Sequence, residues 1–196
     1  MLEVMIVIAI IAIVAALAGS ASQRQSRKVR IHDAARHFRS RVEHARTLAI
    51  AAGPRLGNPL LFRNCPGGGG PPGANLALTI DPGAGTYSVP TNLALSPGGA
   101  VLNSTCQTFN INDESESNGH SRLTANGGNA TVNIGFTPNG RLDPAATTLV
   151  GPQFVRFEDA LEANEATRGY GFRILPSGVI CTASGVAGTG CSEDAI

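Results

Sequence analysis

The chain of 196 residues has no tryptophan, and aromatic residues make up only 5% of it. Charged residues contribute only 15%, and the formal net charge is +1. A large helical core with aromatic anchors is therefore not expected, nor is a general electrostatic attraction to nucleic acid or acidic surfaces. No Gly-Lys-Ser/Thr follows the glycine run "NCPGGGGPPG", which excludes a phosphate-binding loop there. No Gly-x-Ser-x-Gly elbow occurs, and no catalytic residue is assigned. The cysteines number only four, Cys65, Cys106, Cys181 and Cys191, without a Cys-x-x-Cys pair or a histidine at zinc-finger spacing. His37 and His44 lie seven residues apart, but a solvated histidine is the commoner meaning of that spacing, so no metal and no cofactor are expected.

Glycine (24) and proline (12) are abundant and suit short strands and loops. An even set of four cysteines points to two disulfides in an oxidising compartment, against four reduced thiols in a cytosolic domain. Chain order suggests Cys65–Cys106 and Cys181–Cys191, and spacing leaves the other pairings open.

Charge is unevenly placed. Arg24, Arg27, Lys28, Arg30, Arg36, Arg39, Arg41 and Arg46 crowd one stretch, while acids gather in "NDESES" and at Glu158, Asp159, Glu162 and Glu165. The chain opens with "MLEVMIVIAIIAIVAALAGSASQ", in which residues 1–18 hold one polar side chain, Glu3. As a helix that segment rises ~27 Å, close to a bilayer's hydrocarbon thickness. A secretory signal would carry a basic start and a shorter apolar run, so a membrane-spanning helix is expected instead. Farther on, Ile31, Ala35, Phe38, Val42, Ala45, Ala49 and Ala52 recur at spacings of four and three, the mark of a narrow apolar helical stripe. No proline interrupts the chain before Gly53-Pro54, so one long helix is expected. Phe38, Val42 and Ala45 are assigned to dock it on the downstream body.

Beyond Pro54 come short runs of strand character: "NLALTI", "GTYSV", "TCQTFNI", "ATVNIGF", "QFVRF", "YGFRIL" and "GVICT". "FRILPSGVIC" reads as a hairpin turning at Pro176-Ser177-Gly178. The fold class is α+β: a long N-terminal helix, membrane-spanning first and amphipathic second, packed on an antiparallel β-rich body. Boundaries are set at 1–22 for the transmembrane or filament-core helix, 23–53 for the amphipathic stalk and 54–196 for the head.

Glu3 is costly in apolar surroundings unless something pairs with it. Within one helix no cation lies near it. A free α-amine on a neighbouring chain would serve and would set the packed helices in register; the alternative is a carboxylate resting unpaired among lipid headgroups. "LEVMIVIAIIAIVAALA" resembles the N-terminal segment of type IV pilins and type II secretion pseudopilins, with Leu2-Glu3 matching the Leu/Ile-Glu pair of that class. "ARHFRSRVEHARTLAIAAG", with Ala45, Arg46 and Ala49, is similar to the helix end of the GspH/FimT group. "VNIGFTPNGRLDPA" is similar to that group's Phe-x-Pro-x-Gly segment through Phe136, Pro138 and Gly140, and "YGFRILPSGVICTA" to its closing hairpin.

The resemblance implies a non-enzymatic structural subunit, a minor pilin or pseudopilin, that assembles through its N-terminal helix with Glu3 setting register. The partners implied are other pilin or pseudopilin subunits, the inner membrane and an assembly platform, with no small-molecule substrate. It implies a single pass through the bacterial inner membrane with a periplasmic head, followed by entry into a pilus or pseudopilus. Members of the class carry a basic leader ending in Gly before an N-terminal Phe that becomes methylated, which aligns Met1 with the third mature position and implies an upstream leader. The alternative is a DNA-binding FimT-type minor pilin acting in uptake, for which Arg122, Arg141, Arg156, Arg168 and Arg173 are the head's candidate phosphate contacts.

Overall fold

A computed structural model describes residues 2–52, 76–95, 101–115, 119–144, 146–148, 151–162 and 169–183. Helix α1 runs Leu2–Ala52 without interruption. Its 51 residues contain no proline and one glycine, Gly19, so nothing in the backbone forces a break. The strands are β1 (Leu76–Asp81), β2 (Thr86–Leu95), β3 (Val101–Asn110), β4 (Ser121–Ala125), β5 (Val132–Phe136), β6 (Gln153–Asp159), β7 (Gly169–Ile174) and β8 (Ile180–Ala183). A four-residue helix, α2 (Ile111–Glu114), follows β3; the Asn110 side chain caps it by accepting from the Asn112 N–H.

The strands form two antiparallel four-stranded sheets, ordered β3-β2-β1-β5 and β4-β6-β7-β8. The second half of α1 packs against both. Ile31, Ala34, Ala35, Phe38, Val42, Ala45 and Ala49 are buried along one stripe, and the Ala52 side chain lies outside the described residues. The alanines let the helix axis come close to the sheets, and Phe38 fills the space between them. Its ring centroid lies 5.0 Å from Tyr87 on β2, 5.2 Å from Phe157 on β6 and 6.2 Å from Phe172 on β7. One side chain thus joins the helix to both sheets.

The expected membrane-spanning first half is corrected. Among the described residues no helix is long and apolar enough to cross a membrane. The apolar side chains described at its start run from Val4 to Val14. Eleven residues rise only about 16 Å on a helix, against about 30 Å of hydrocarbon. The single-pass inner-membrane placement with a periplasmic head, which the resemblance implied, requires such a span and is corrected with it.

Strand β4 was not expected: "SRLTA" holds only one large apolar residue. It is a strand because β6 pairs with all five of its residues, with Ser121, Leu123 and Ala125 turned inward. The β7–β8 turn has Gly178 at φ +80°, with the Gly178 N–H donating to the Leu175 carbonyl at 2.7 Å.

Three distant segments meet under the end of α1. Arg46 Nε donates to the Gly140 carbonyl at 2.9 Å, and the Leu142 N–H donates to the Pro176 carbonyl at 3.1 Å. A Cβ on Gly178 would lie 1.7 Å from the Gly140 oxygen and 3.1 Å from Arg46 Nε. The Ala-Arg-x-x-Ala end of the helix, the Phe-x-Pro-x-Gly segment and the closing hairpin therefore form one junction.

Candidate functional site

The chemistry of α1 changes along its length. From Ile31 to Ala49 its apolar stripe is spent on the core. From Val4 to Val14 nine large apolar side chains are 51–73% exposed, and they occur on every side of the helix. Water-exposed apolar surface of this extent marks an interaction site. Glu3 is exposed at its start, with no cation in salt-bridge contact among the described residues.

The basic stretch on the same helix is largely engaged by the protein itself. Arg27 Nε donates to Asp159 Oδ2 at 3.1 Å, tying the helix to β6, and Arg39 pairs with Glu43 at 2.9 Å. Arg46 holds Gly140 as described. Arg41 reaches both the Tyr87 hydroxyl and Glu114 on α2, while its guanidinium carbon lies 3.4 Å from the Phe109 ring centroid. Tyr87 in turn donates to Glu114 Oε2 at 2.6 Å. Burial, followed by the adjacent Glu114, pushes the Tyr87 phenol well above its ordinary pKa, so it stays a donor at every physiological pH. Sequence reasoning missed this cluster because its members come from α1, β2, β3 and α2. The excess of arginine against nearby acid on the stalk was its one visible trace.

These pairings also bear on the head's candidate phosphate contacts. Arg156 is buried beside Glu158 at 3.1 Å, and Arg173 is half-buried and engaged. Arg122 reaches Asn129 at 3.4 Å, Arg141 is exposed and Arg168 lies outside the described residues. Among the described residues only Arg122 and Arg141 of this set are exposed.

Cys106 and Cys181 are disulfide-bonded and not free thiols. Cys65 and Cys191 lie outside the described residues, so the expected pairings Cys65–Cys106 and Cys181–Cys191 are not shown. His37 and His44 are both exposed.

A groove of about 430 Å³ lies between α1 and strands β7 and β8. His32 packs against Tyr170 there, with ring centroids 4.4 Å apart and the ring planes tilted by 53°. Burial first, then the charge of Arg36, lowers the His32 pKa from its ordinary 6.5. Folding therefore opposes protonation of this imidazole, and the stability it contributes is present above pH 6.5 and lost as pH falls below it. Urea unfolding across pH 5–8 is expected to show that decline, and His32→Gln to flatten part of it; an unchanged slope in the variant would remove this assignment. A second cavity, of about 450 Å³, is bounded by Thr137, Arg141, Leu142, Pro144 and Pro176 and is mostly apolar.

No protein-family model, curated protein or solved structure matches this chain, so the resemblance to pilins gains no support from those comparisons.

Proposed function

We propose that this protein is a structural subunit of a helical filament, organised in the manner of type IV pilins and pseudopilins, whose copies pack through the first half of α1. One observation carries the reading: a single helix is buried in its own head from Ile31 onward, yet exposes nine large apolar side chains from Val4 to Val14. Full burial of a large aliphatic side chain contributes about 1.5–3 kcal/mol, so covering these already half-covered side chains supplies on the order of 10 kcal/mol per subunit. That is comparable with the entropic cost of association, which leaves a favourable balance when each helix meets several others. Like segments from neighbouring copies provide a matching apolar cover. Inside such a bundle the Glu3 carboxylate needs a cationic partner from another copy, and this requirement favours one stagger over the rest. DNA is not the partner favoured here, because Arg27, Arg41 and Arg46 of the stalk are engaged by the head.

Sedimentation and electron microscopy of the full chain test the proposal. Wild type is expected to form filaments above a threshold concentration. The triple change Ile6→Ser, Ile10→Ser, Ile13→Ser is expected to leave it monomeric, with the unfolding midpoint of the head unchanged. Glu3→Ala is expected to raise the threshold and blur the axial repeat. Assembly of the triple variant at the wild-type concentration would sink the reading.

A further inference from the structure

The groove between α1 and β7–β8 has the character of a second contact surface, separate from the apolar segment. At ~100° per residue, His32, Arg36, Arg39 and Glu43 fall within an arc of about 60° on α1. They form one wall, and Tyr170, 41% exposed, forms the other. Arg39 is satisfied by Glu43. Arg36 is exposed and has no carboxylate in salt-bridge contact among the described residues, so it is the groove's uncommitted cation.

Its complement lies on the opposite flank of the same helix. Arg41 is displaced from the centre of that arc by about 170°, and it holds Glu114 at the end of α2. Asp113, the residue before Glu114, is exposed; the other described carboxylates of the head, Asp81, Glu114, Asp143, Glu158, Asp159 and Glu162, are buried or half-buried. The fold thus presents an aromatic-walled groove with an exposed arginine on one side of the stalk and an exposed carboxylate, Asp113, on the other. A patch and its complement on opposite flanks cannot both be satisfied in a closed twofold pair. Repeated head to tail, they generate an open chain or helix.

We infer that this groove receives the α2 turn of a neighbouring copy, with Arg36 pairing with the neighbour's Asp113 and the turn lying against Tyr170. The inference rests on the filament reading and names its lateral contact: apolar helices hold the centre, and this charge pair selects the rotation between adjacent heads. Because both residues are exposed, exchanging them leaves the core of each head intact.

The experiment uses the full chain. Arg36→Glu and Asp113→Arg are each expected to raise the assembly threshold about tenfold or more, because each places like charges face to face. The double variant Arg36→Glu, Asp113→Arg reverses the pair and is expected to restore assembly to within about threefold of wild type. Independently, Arg36→Lys filaments treated with a carbodiimide are expected to yield an amide cross-link between the introduced amine and Asp113 of an isotopically distinct copy. If wild type assembles but the single reversals leave its threshold unchanged, or the introduced amine couples to a different carboxylate, this contact is overturned and the filament reading stands. If wild type stays monomeric at every concentration, the filament reading falls and takes the contact with it. Head unfolding midpoints, expected to be unchanged in all variants, separate either result from misfolding.

Discussion

Phe38→Ala is expected to lower the stability of the head by about 3–5 kcal/mol, the range for deleting a buried phenylalanine. Phe38 is fully buried, and its ring meets Tyr87, Phe157 and Phe172, which come from three strands of two different sheets. Removing it leaves a void bounded by rigid elements that cannot collapse independently, since the helix is also held by Arg27, Arg41 and Arg46. Ring–ring contacts are lost together with apolar burial. Chemical denaturation below the assembly threshold measures the effect through the transition midpoint at constant slope. A loss under about 1.5 kcal/mol, well short of the usual cost of such a deletion, would mean that the helix is not the element joining the sheets. Val42→Ala, on the next turn of the same stripe, removes fewer atoms and is expected to cost correspondingly less.

The second large effect is expected at the junction beneath the helix end. Gly178→Ala adds one carbon where two penalties combine. At φ +80° an L-residue is disfavoured by about 1–2 kcal/mol. The new Cβ would also lie 1.7 Å from the Gly140 carbonyl oxygen, a backbone atom that cannot turn aside. Relieving that overlap moves the loop and takes away the acceptor of Arg46, a charge-assisted hydrogen bond worth about 1.5–3 kcal/mol. A total of about 3 kcal/mol is expected. Gly119→Ala supplies the internal control, because Gly119 has φ +89° and an added Cβ there would meet nothing within 4 Å. It carries the backbone penalty alone, so the difference between the two variants isolates the close approach. Equal destabilisation by the two would show that the junction yields easily and that the close approach carries no penalty.

Both predictions concern how firmly the head grips α1, and this grip matters for the proposed assembly. A filament subunit transmits force from its packed helix to its exterior domain. Arg27, Arg41 and Arg46, which reach from the stalk to the head, act together with Phe38 in parallel along that connection.

How far the fold could be read in advance depended on the range of the interactions involved. The stripe Ile31, Ala35, Phe38, Val42, Ala45 and Ala49 was legible because helical periodicity is a local property, and all six are buried. The turn at 176–178 was legible for the same reason: Pro fixes its own φ, and Gly admits the positive φ that the turn requires. The apolar run at the start was equally plain, but the conclusion that it crosses a membrane went beyond what the described helix supports. Strand β4 was hidden because its five residues have little intrinsic strand character and take their form from β6. The lateral groove gave no signal, since Arg36 and Tyr170 are separated by more than a hundred residues.

By itself the sequence determined the composition of each face of α1, the places where the chain must turn, and the presence of one acid ahead of an apolar run. These follow from bond geometry and side-chain chemistry within a few residues. Only the tertiary structure decided which arginines are engaged, how the eight described strands divide into two sheets, and that Gly140, Gly178 and Arg46 share one junction. Such outcomes depend on contacts between distant segments, where burial and electrostatic pairing are settled by what arrives from elsewhere in the chain.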